Sequence, residues 1–302
     1  MNKNRNFKRI LTIQDISCVG SCSITVALPI IAACGIEAAI LPCAILSTHT
    51  GGFKDFVIHD MTDELTSFLK HWQAEGLDFD AIYTGYLSNA AQIQAVQIAI
   101  DTLRSEGAPA IIDPAMADHG KLYYGFDENH VDSMRKLVGV SDYLLPNITE
   151  AAFLTSLEYR PEHDESYILS LLHGLRDIGA KKVILKGIVY DDARIGVAIY
   201  DALSDELDYY FTDKVDLKSH GTGDCFASVF TGCLVKGHDV QTSVRYAADF
   251  VVDSLEATIG DESHWYGVKF EQCLSTLATR VKIFGPDVET RAAIDEAIRN
   301  LF

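Results

Sequence analysis

The sequence predicts an α/β fold with a largely parallel sheet covered on both faces by helices. Two observations carry this. Short apolar runs without strict polar alternation recur along the chain, and segments with helical periodicity separate several of them. A third observation sets the domain count: no repeat, low-complexity tract or long linker divides the 302 residues, so residues 1–302 read as a single domain. A hydrophobic content of 48% is ample for one large core.

The elements follow in order. Arg9–Gln14 reads as the opening strand and Ala38–Ile45 as the second, with Ala81–Thr84, Ala110–Asp113, Tyr143–Leu145, Lys182–Lys186 and Val197–Tyr200 continuing the series. Helical patterns cover Asp63–Glu75, Ala90–Glu106, His130–Leu137 and Ser166–Ile178. In the second of these, Ile93, Val96, Ile100 and Leu103 share one face. Residues 24–46 carry a single charge, Glu37, over a length that could span a bilayer. Pro29, Gly35 and Pro42 punctuate the run, so it is divided into a helix to about Cys34, a turn at Gly35 and a buried strand. Asp201–Lys214 is acidic and aromatic and reads as an antiparallel hairpin or edge pair, and Asp287–Phe302 as a final helix. Right-handed crossovers place the strand C-termini along one edge, where ligands bind.

A net charge of −18 is a poor match for nucleic acid or an anionic membrane, and neither is expected as a partner. The seven cysteines are odd in number and form no CxxC pair, which argues for a reducing compartment and against structural zinc. The basic start MNKNRNFKR runs into Gln14 and Asp15 too soon for a secretory signal, and a cytoplasmic location is expected.

The strongest chemical signal is Gly221-Thr222-Gly223-Asp224, immediately before the apolar helical run Cys225–Val235. Glycines let backbone N–H groups converge, and a helix N-terminus adds partial positive charge, which suits a phosphate in transfer. A carboxylate beside that anion site can accept a hydroxyl proton. A capped helix start is the alternative explanation. The P-loop pattern is absent, Phe226 stands where a dinucleotide fingerprint needs its third glycine, and HRD and DFG are missing.

Asp113-Pro114 and Pro146-Asn147-Ile148-Thr149-Glu150 each follow a strand. Carboxylates there could hold Mg²⁺ directly or through water, although Asn147 and Thr149 also look like helix caps. Val183–Gly187 delivers Lys186 at the end of a buried strand, where an unpaired charge is costly and a nucleotide phosphate is one natural partner; a solvated strand end is the other explanation.

The order of these motifs resembles the pyridoxal/pyridoxamine (vitamin B6) kinases of the ribokinase-like superfamily. The residues that carry the resemblance are Ile13-Gln14, Ser47-Thr48-His49-Thr50, Thr84-Gly85-Tyr86-Leu87, Asp113-Pro114-Ala115-Met116, Pro146-Asn147 and GTGD, spread over residues 8–258. The resemblance implies a three-layer α/β/α ribokinase-like fold and ATP-dependent phosphorylation of the 5′-hydroxymethyl group of a B6 vitamer. It implies Asp224 as catalytic base, with the backbone of Gly221, Thr222 and Gly223 as the anion hole. It implies Asp15, Ser47, Thr50 and Tyr86 on the substrate side, with the loop from Asp15 to Ser23 closing over the substrate. Asp113, Asn147, Glu150 and Lys186 are implied on the ATP side, with Asp113 and Glu150 toward Mg²⁺. A monovalent cation such as K⁺ and a homodimer also follow from the resemblance alone.

One departure stands out. Asp15 occupies a position where many such kinases carry serine, and a carboxylate there could favour a cationic amine substrate. Turn capping by Asp15 is the alternative. Hydroxymethylpyrimidine kinases share the fold and the GTGD-like ending but carry a glycine-rich AGSDxSGGAG pattern after the first strand, where this chain has IQDISCVGSCS. A sugar or nucleoside kinase and a non-catalytic binding protein are the remaining alternatives.

Overall fold

The computed structural model describes residues 7–283. Nine strands form the main sheet among these residues. In chain order they are β1 (Arg9–Ser17), β2 (Glu37–Leu46), β3 (Ile58–Asp60), β4 (Ala81–Thr84), β5 (Ala110–Ile112), β8 (Tyr143–Leu144), β9 (Lys182–Ile188), β10 (Arg194–Asp201) and β11 (Glu206–Asp213). Two further short strands, β6 (Ala117–Asp118) and β7 (Lys121–Leu122), pair as a separate hairpin. The sheet order is β11-β10-β9-β8-β5-β4-β1-β2-β3. The six strands from β9 to β2 are parallel, and β3, β10 and β11 add antiparallel edges.

The central strands β1, β4 and β5 are buried on both faces. Leu11 and Ile13 face one core with Ile82, Ile112 and Leu185; Ile10 faces the other with Tyr83, Ile111 and Ile184. The first core is covered by α2 (Thr62–Ala74), α3 (Ala90–Leu103), α4 (Glu128–Val138), α5 (Ile148–Thr155) and α6 (Glu165–Asp177). The second is covered by α1 (Ile24–Ala33), α7 (Thr222–Lys236), α8 (Val240–Glu256) and α9 (Leu274–Ile283). This is the expected three-layer architecture.

The apolar stretch from residue 24 divides as expected into α1 and β2, and no helix among the described residues is long and apolar enough to cross a membrane. The acidic segment after residue 200 supplies the second strand of the β10–β11 hairpin. The helix expected at Asp287–Phe302 lies outside the described residues.

Two differences from expectation matter for the site. Strand β1 continues to Ser17, so Asp15 is a strand residue rather than the first residue of a loop. Beside it the β1–β2 register slips: Gln14 pairs with Pro42, but Ile16 pairs with Ile45. Proline has no N–H for the ladder, and a bulge of this kind re-aims side chains.

The chain crosses from one side of β1 to the other between β2 and β4, so the ends of β1 and β4 form a topological switch point. The opposite end of the sheet is held by Asp142. Its carboxylate accepts from Arg104 Nη1 at 2.9 Å, from the Ala110 backbone N–H at 2.9 Å and from Lys181 Nζ at 2.8 Å. Asp142→Ala is expected to cost about 1–3 kcal/mol, because three donors lose a shared acceptor. Denaturant unfolding checks this; kcat at a permissive temperature should stay near wild type, since Asp142 lies at the far end of the sheet.

Candidate active site

Four polar groups stand at the C-terminal edge of the parallel strands. Asp113 follows β5, Lys186 lies in β9, Glu150 is in the first turn of α5, and Asp224 is in the first turn of α7. Lys186 Nζ meets Asp113 Oδ2 at 2.8 Å in a nearly buried ion pair. Burial disfavours the ammonium, but the carboxylates of Asp113 and Glu150 outweigh it, and the Lys186 pKa is raised. The backbones of Asn147 and Lys186 form a parallel bridge, which fixes the lysine beside α5.

Glu150 and Asn147 form a capping box. The Asn147 side chain accepts from the Glu150 N–H at 2.8 Å, and Glu150 Oε2 accepts from the Asn147 N–H at 2.8 Å. Asn147 Nδ2 also donates to the Ala117 carbonyl at 2.9 Å, so both polar ends of Asn147 make a bond within the protein, as its reading as a helix cap expects. Glu150 does more than cap. It is buried, and burial together with the charge of Asp113 pushes its pKa up to about 8.

Helix α7 begins as its sequence requires. Gly221 is the N-cap at φ 82°, and a Cβ there would sit 1.9 Å from the Ser21 carbonyl oxygen. Only glycine fits such a turn. The first helical bond runs from the Cys225 N–H to the Gly221 carbonyl, so the leading N–H groups of α7 are free of helical partners. Lys186 Nζ lies 4.0 Å from the point where a Cβ on Gly223 would stand. Asp224 therefore sits among an ammonium, a helix N-terminus and further carboxylates. Burial pushes its pKa up to about 7; the Ser23 N–H opposes the shift, and the charges of Asp113 and Asp15 add to it.

The substrate-side residues divide. Asp15 is 3% exposed and accepts from Ser17 Oγ at 2.9 Å, an environment that replaces the turn-capping explanation. Tyr86 is half-buried and stacks on Phe126 with ring centroids 5.4 Å apart. Its hydroxyl pKa is pushed up to about 12, by burial first and then by the charge of Asp15, so the phenol stays protonated. Ser47 is exposed and its hydroxyl accepts from the Val57 N–H at 2.9 Å, an engagement with the turn before β3. Thr50 is exposed on the loop between β2 and β3.

That loop packs over the cleft. His49 Nδ1 accepts from the Gly51 N–H at 3.0 Å, so Nε2 carries the proton and donates to the Tyr266 carbonyl at 2.6 Å. Its ring packs 5.0 Å from the ring of His220, next to Gly221.

Sequence reasoning missed Tyr123 and Ser23. Tyr123 is 38% exposed as a whole, but desolvation of its phenol and the charges of Glu150, Asp118, Asp224 and Asp113 raise its pKa, so its hydroxyl feels the cluster. It follows the β6–β7 hairpin, where the sequence shows only an aromatic run, KLYYGF.

Mg²⁺ prefers one or two carboxylates together with phosphate oxygens and water. The donor set suits this: Asp113 and Glu150 repel each other electrostatically, a cost that a cation beside them would relieve. Among the described residues no group of three or more His, Cys, Asp or Glu side chains forms a metal cage, so the remaining ligands would be water and phosphate.

A parallel sheet with a glycine-capped helix N-terminus, a buried carboxylate and a lysine at its switch edge suits phosphoryl transfer. The chain belongs to the phosphomethylpyrimidine kinase family, whose model matches residues 18–267. It is 30% identical over 206 residues to the hydroxymethylpyrimidine/phosphomethylpyrimidine kinase of Bacillus subtilis, covering 67% of this chain and 73% of that one. A Bacteroides thetaiotaomicron structure, described as a candidate phosphomethylpyrimidine kinase crystallised with pyridoxal, superposes with a TM-score of 0.85 at 32% identity, covering 90% of this chain and 96% of that one. The pyridoxal kinase of Lactobacillus plantarum superposes with a TM-score of 0.82 at 29% identity, covering 90% and 97%. The ribokinase-like fold expected from the motifs is the fold observed.

The raised pKa of Asp224 has a consequence for stability. A folded pKa of about 7, against an ordinary 3.8, means the folded state binds the proton more tightly. That stabilisation is complete below about pH 3.8 and is lost as pH rises through 7. Asp224→Asn removes the buried charge, so its Tm relative to wild type should be higher at pH 8 than at pH 5. Paired thermal melts check this; a pH-independent Tm difference contradicts it.

Proposed function

We propose that this kinase transfers the γ-phosphoryl group of ATP to the 5′-hydroxymethyl group of a B6 vitamer: pyridoxal, pyridoxamine or pyridoxine. The observation that carries the reading is Asp224, a carboxylate with its pKa raised to about 7, set among the free N–H groups of α7 and Lys186. A primary alcohol is a weak nucleophile, and transfer depends on holding it in line with the phosphorus. Asp224 accepts the hydroxyl proton as the new O–P bond forms and the bond to the β-phosphate oxygen breaks. The N–H groups of Thr222 and Gly223 face the equatorial oxygens, and Lys186 neutralises their charge. With phosphate present, Lys186 divides its donors between Asp113 and the phosphate. Asp113 and Glu150 would hold Mg²⁺, in part through water, and the cation would supply neutralisation of the phosphate charge.

The pyridoxal-containing relative supports a B6 vitamer, and so does the combination of Asp15 and Tyr86 on the substrate side. The second reading, a hydroxymethylpyrimidine kinase, is supported by the family and by the Bacillus subtilis relative. Both substrates present a hydroxymethyl group on a flat nitrogen heterocycle, so the chemistry at Asp224 is common to the two.

An ATP-coupled assay against pyridoxal, pyridoxamine, pyridoxine and hydroxymethylpyrimidine separates them. The expected outcome is kcat/KM at least tenfold higher for a B6 vitamer, with Asp224→Asn lowering kcat by about 10²–10⁴-fold while ATP binding is kept. A preference for the pyrimidine moves the assignment to the second reading. A near-normal kcat in folded Asp224→Asn removes Asp224 as the base.

A further inference from the structure

Five non-glycine residues among those described have a positive φ: Ser23, Asp55, His119, Ser156 and Asp205. Four are exposed; Ser23 alone is buried, 6% exposed, at φ 56° and ψ −129°. A side-chain-bearing residue rarely adopts this conformation, and it persists only where its surroundings impose it.

Ser23 is also the N-cap of α1, and its carbonyl accepts from the Val26 N–H at 3.0 Å and the Ala27 N–H at 2.9 Å. A serine at this position ordinarily turns its hydroxyl back onto the helix. Here it makes no side-chain cap bond. Residues 21–23 instead lie against the start of α7, where the Ser21 carbonyl and the Cys22 thiol crowd Gly221. From this position the Ser23 N–H faces the Asp224 carboxylate and its hydroxyl faces Asp15. An antiparallel bridge to Ile16 anchors Ser23 one residue from Asp15.

We propose that Ser23 is a positioning residue that joins the two halves of the site, holding Asp224 through its backbone N–H and Asp15 through its hydroxyl. The inference rests on Asp224 as base and Asp15 as a substrate contact. The strained backbone is what lets one residue address both carboxylates at once. A relaxed N-cap serine would spend its hydroxyl on α1 and leave Asp15 with Ser17 alone.

Ser23→Gly is the informative variant, because glycine accepts the backbone conformation, keeps the N–H and removes the hydroxymethyl side chain, while Ser23→Ala removes the hydroxyl alone. The expected result is a KM for the hydroxymethyl substrate raised about tenfold, the scale of one hydrogen bond to a charged group, with kcat within about threefold of wild type and KM for ATP unchanged. Ser23→Ala should raise KM equally but melt at a lower temperature than Ser23→Gly, since alanine keeps the strain. A double-mutant cycle with Asp15→Asn reads the coupling without substrate: the Tm changes should be non-additive. Additive Tm changes, or an unchanged substrate KM in Ser23→Gly, overturn the proposal. A wild-type protein that phosphorylates none of the four heterocycles overturns the function instead, and the stability cycle still decides the role of Ser23.

Discussion

The site depends on the concentration of negative charge at one edge of the sheet. Asp113, Glu150 and Asp224 converge there around a single buried ammonium, Lys186. Burial raises the pKa of each carboxylate, and neighbouring negative charge adds to the shift at Glu150 and Asp224. The same arrangement gives a carboxylate, Asp224, with its pKa near neutral, as the proposed role of base requires, and a set of negative charges that a divalent cation would relieve. Structure and chemistry are thus two aspects of one electrostatic constraint.

The fold makes the convergence possible. Parallel strands end along one edge, and the change of direction beside β1 opens the sheet between β1 and β4. Asp15 and Tyr86 stand after or near the ends of these two strands, and Asp113, Glu150 and Lys186, the groups proposed for the ATP side, stand near the ends of β5, β8 and β9. Helix α7 approaches with its N-terminus forward, and Gly221 permits the contact with Ser21 that seats it. The two halves meet at Ser23 and Asp224, a contact between segments about two hundred residues apart in the chain.

Much of this was legible in the sequence because it rests on local rules. Buried parallel strands are apolar runs, and a glycine pair before an apolar helix marks an anion site. What escaped is non-local. The strand expected to end at Gln14 continues through Asp15 to Ser17, because partners at Ser17 and Ser23 accommodate a carboxylate that the apolar pattern would exclude. Helix α8 buries Thr242, Ser243 and Ser254 within its packed face, which blurs the apolar stripe that would announce it. Strands β3, β6 and β7 are two or three residues long and exist through pairing, not periodicity. The Lys186–Asp113 pair joins residues 73 apart, and neither local context names the other. Asn147 caps α5 and also holds the Ala117 carbonyl, a second, non-local contact that its motif does not announce.

The central claim is that Asp224 acts as a base whose pKa the buried cluster has moved to about 7. The pH dependence of kcat/KM for the B6 vitamer that turns over fastest tests it most directly. A base must be ionised to act, so the rate should fall tenfold per pH unit below an apparent pKa near 7 and level off above it. In Asp224→Asn the residual rate should lose that limb. An acid limb near the ordinary carboxylate value of 3.8, or a limb near 7 that survives in Asp224→Asn, would contradict the account.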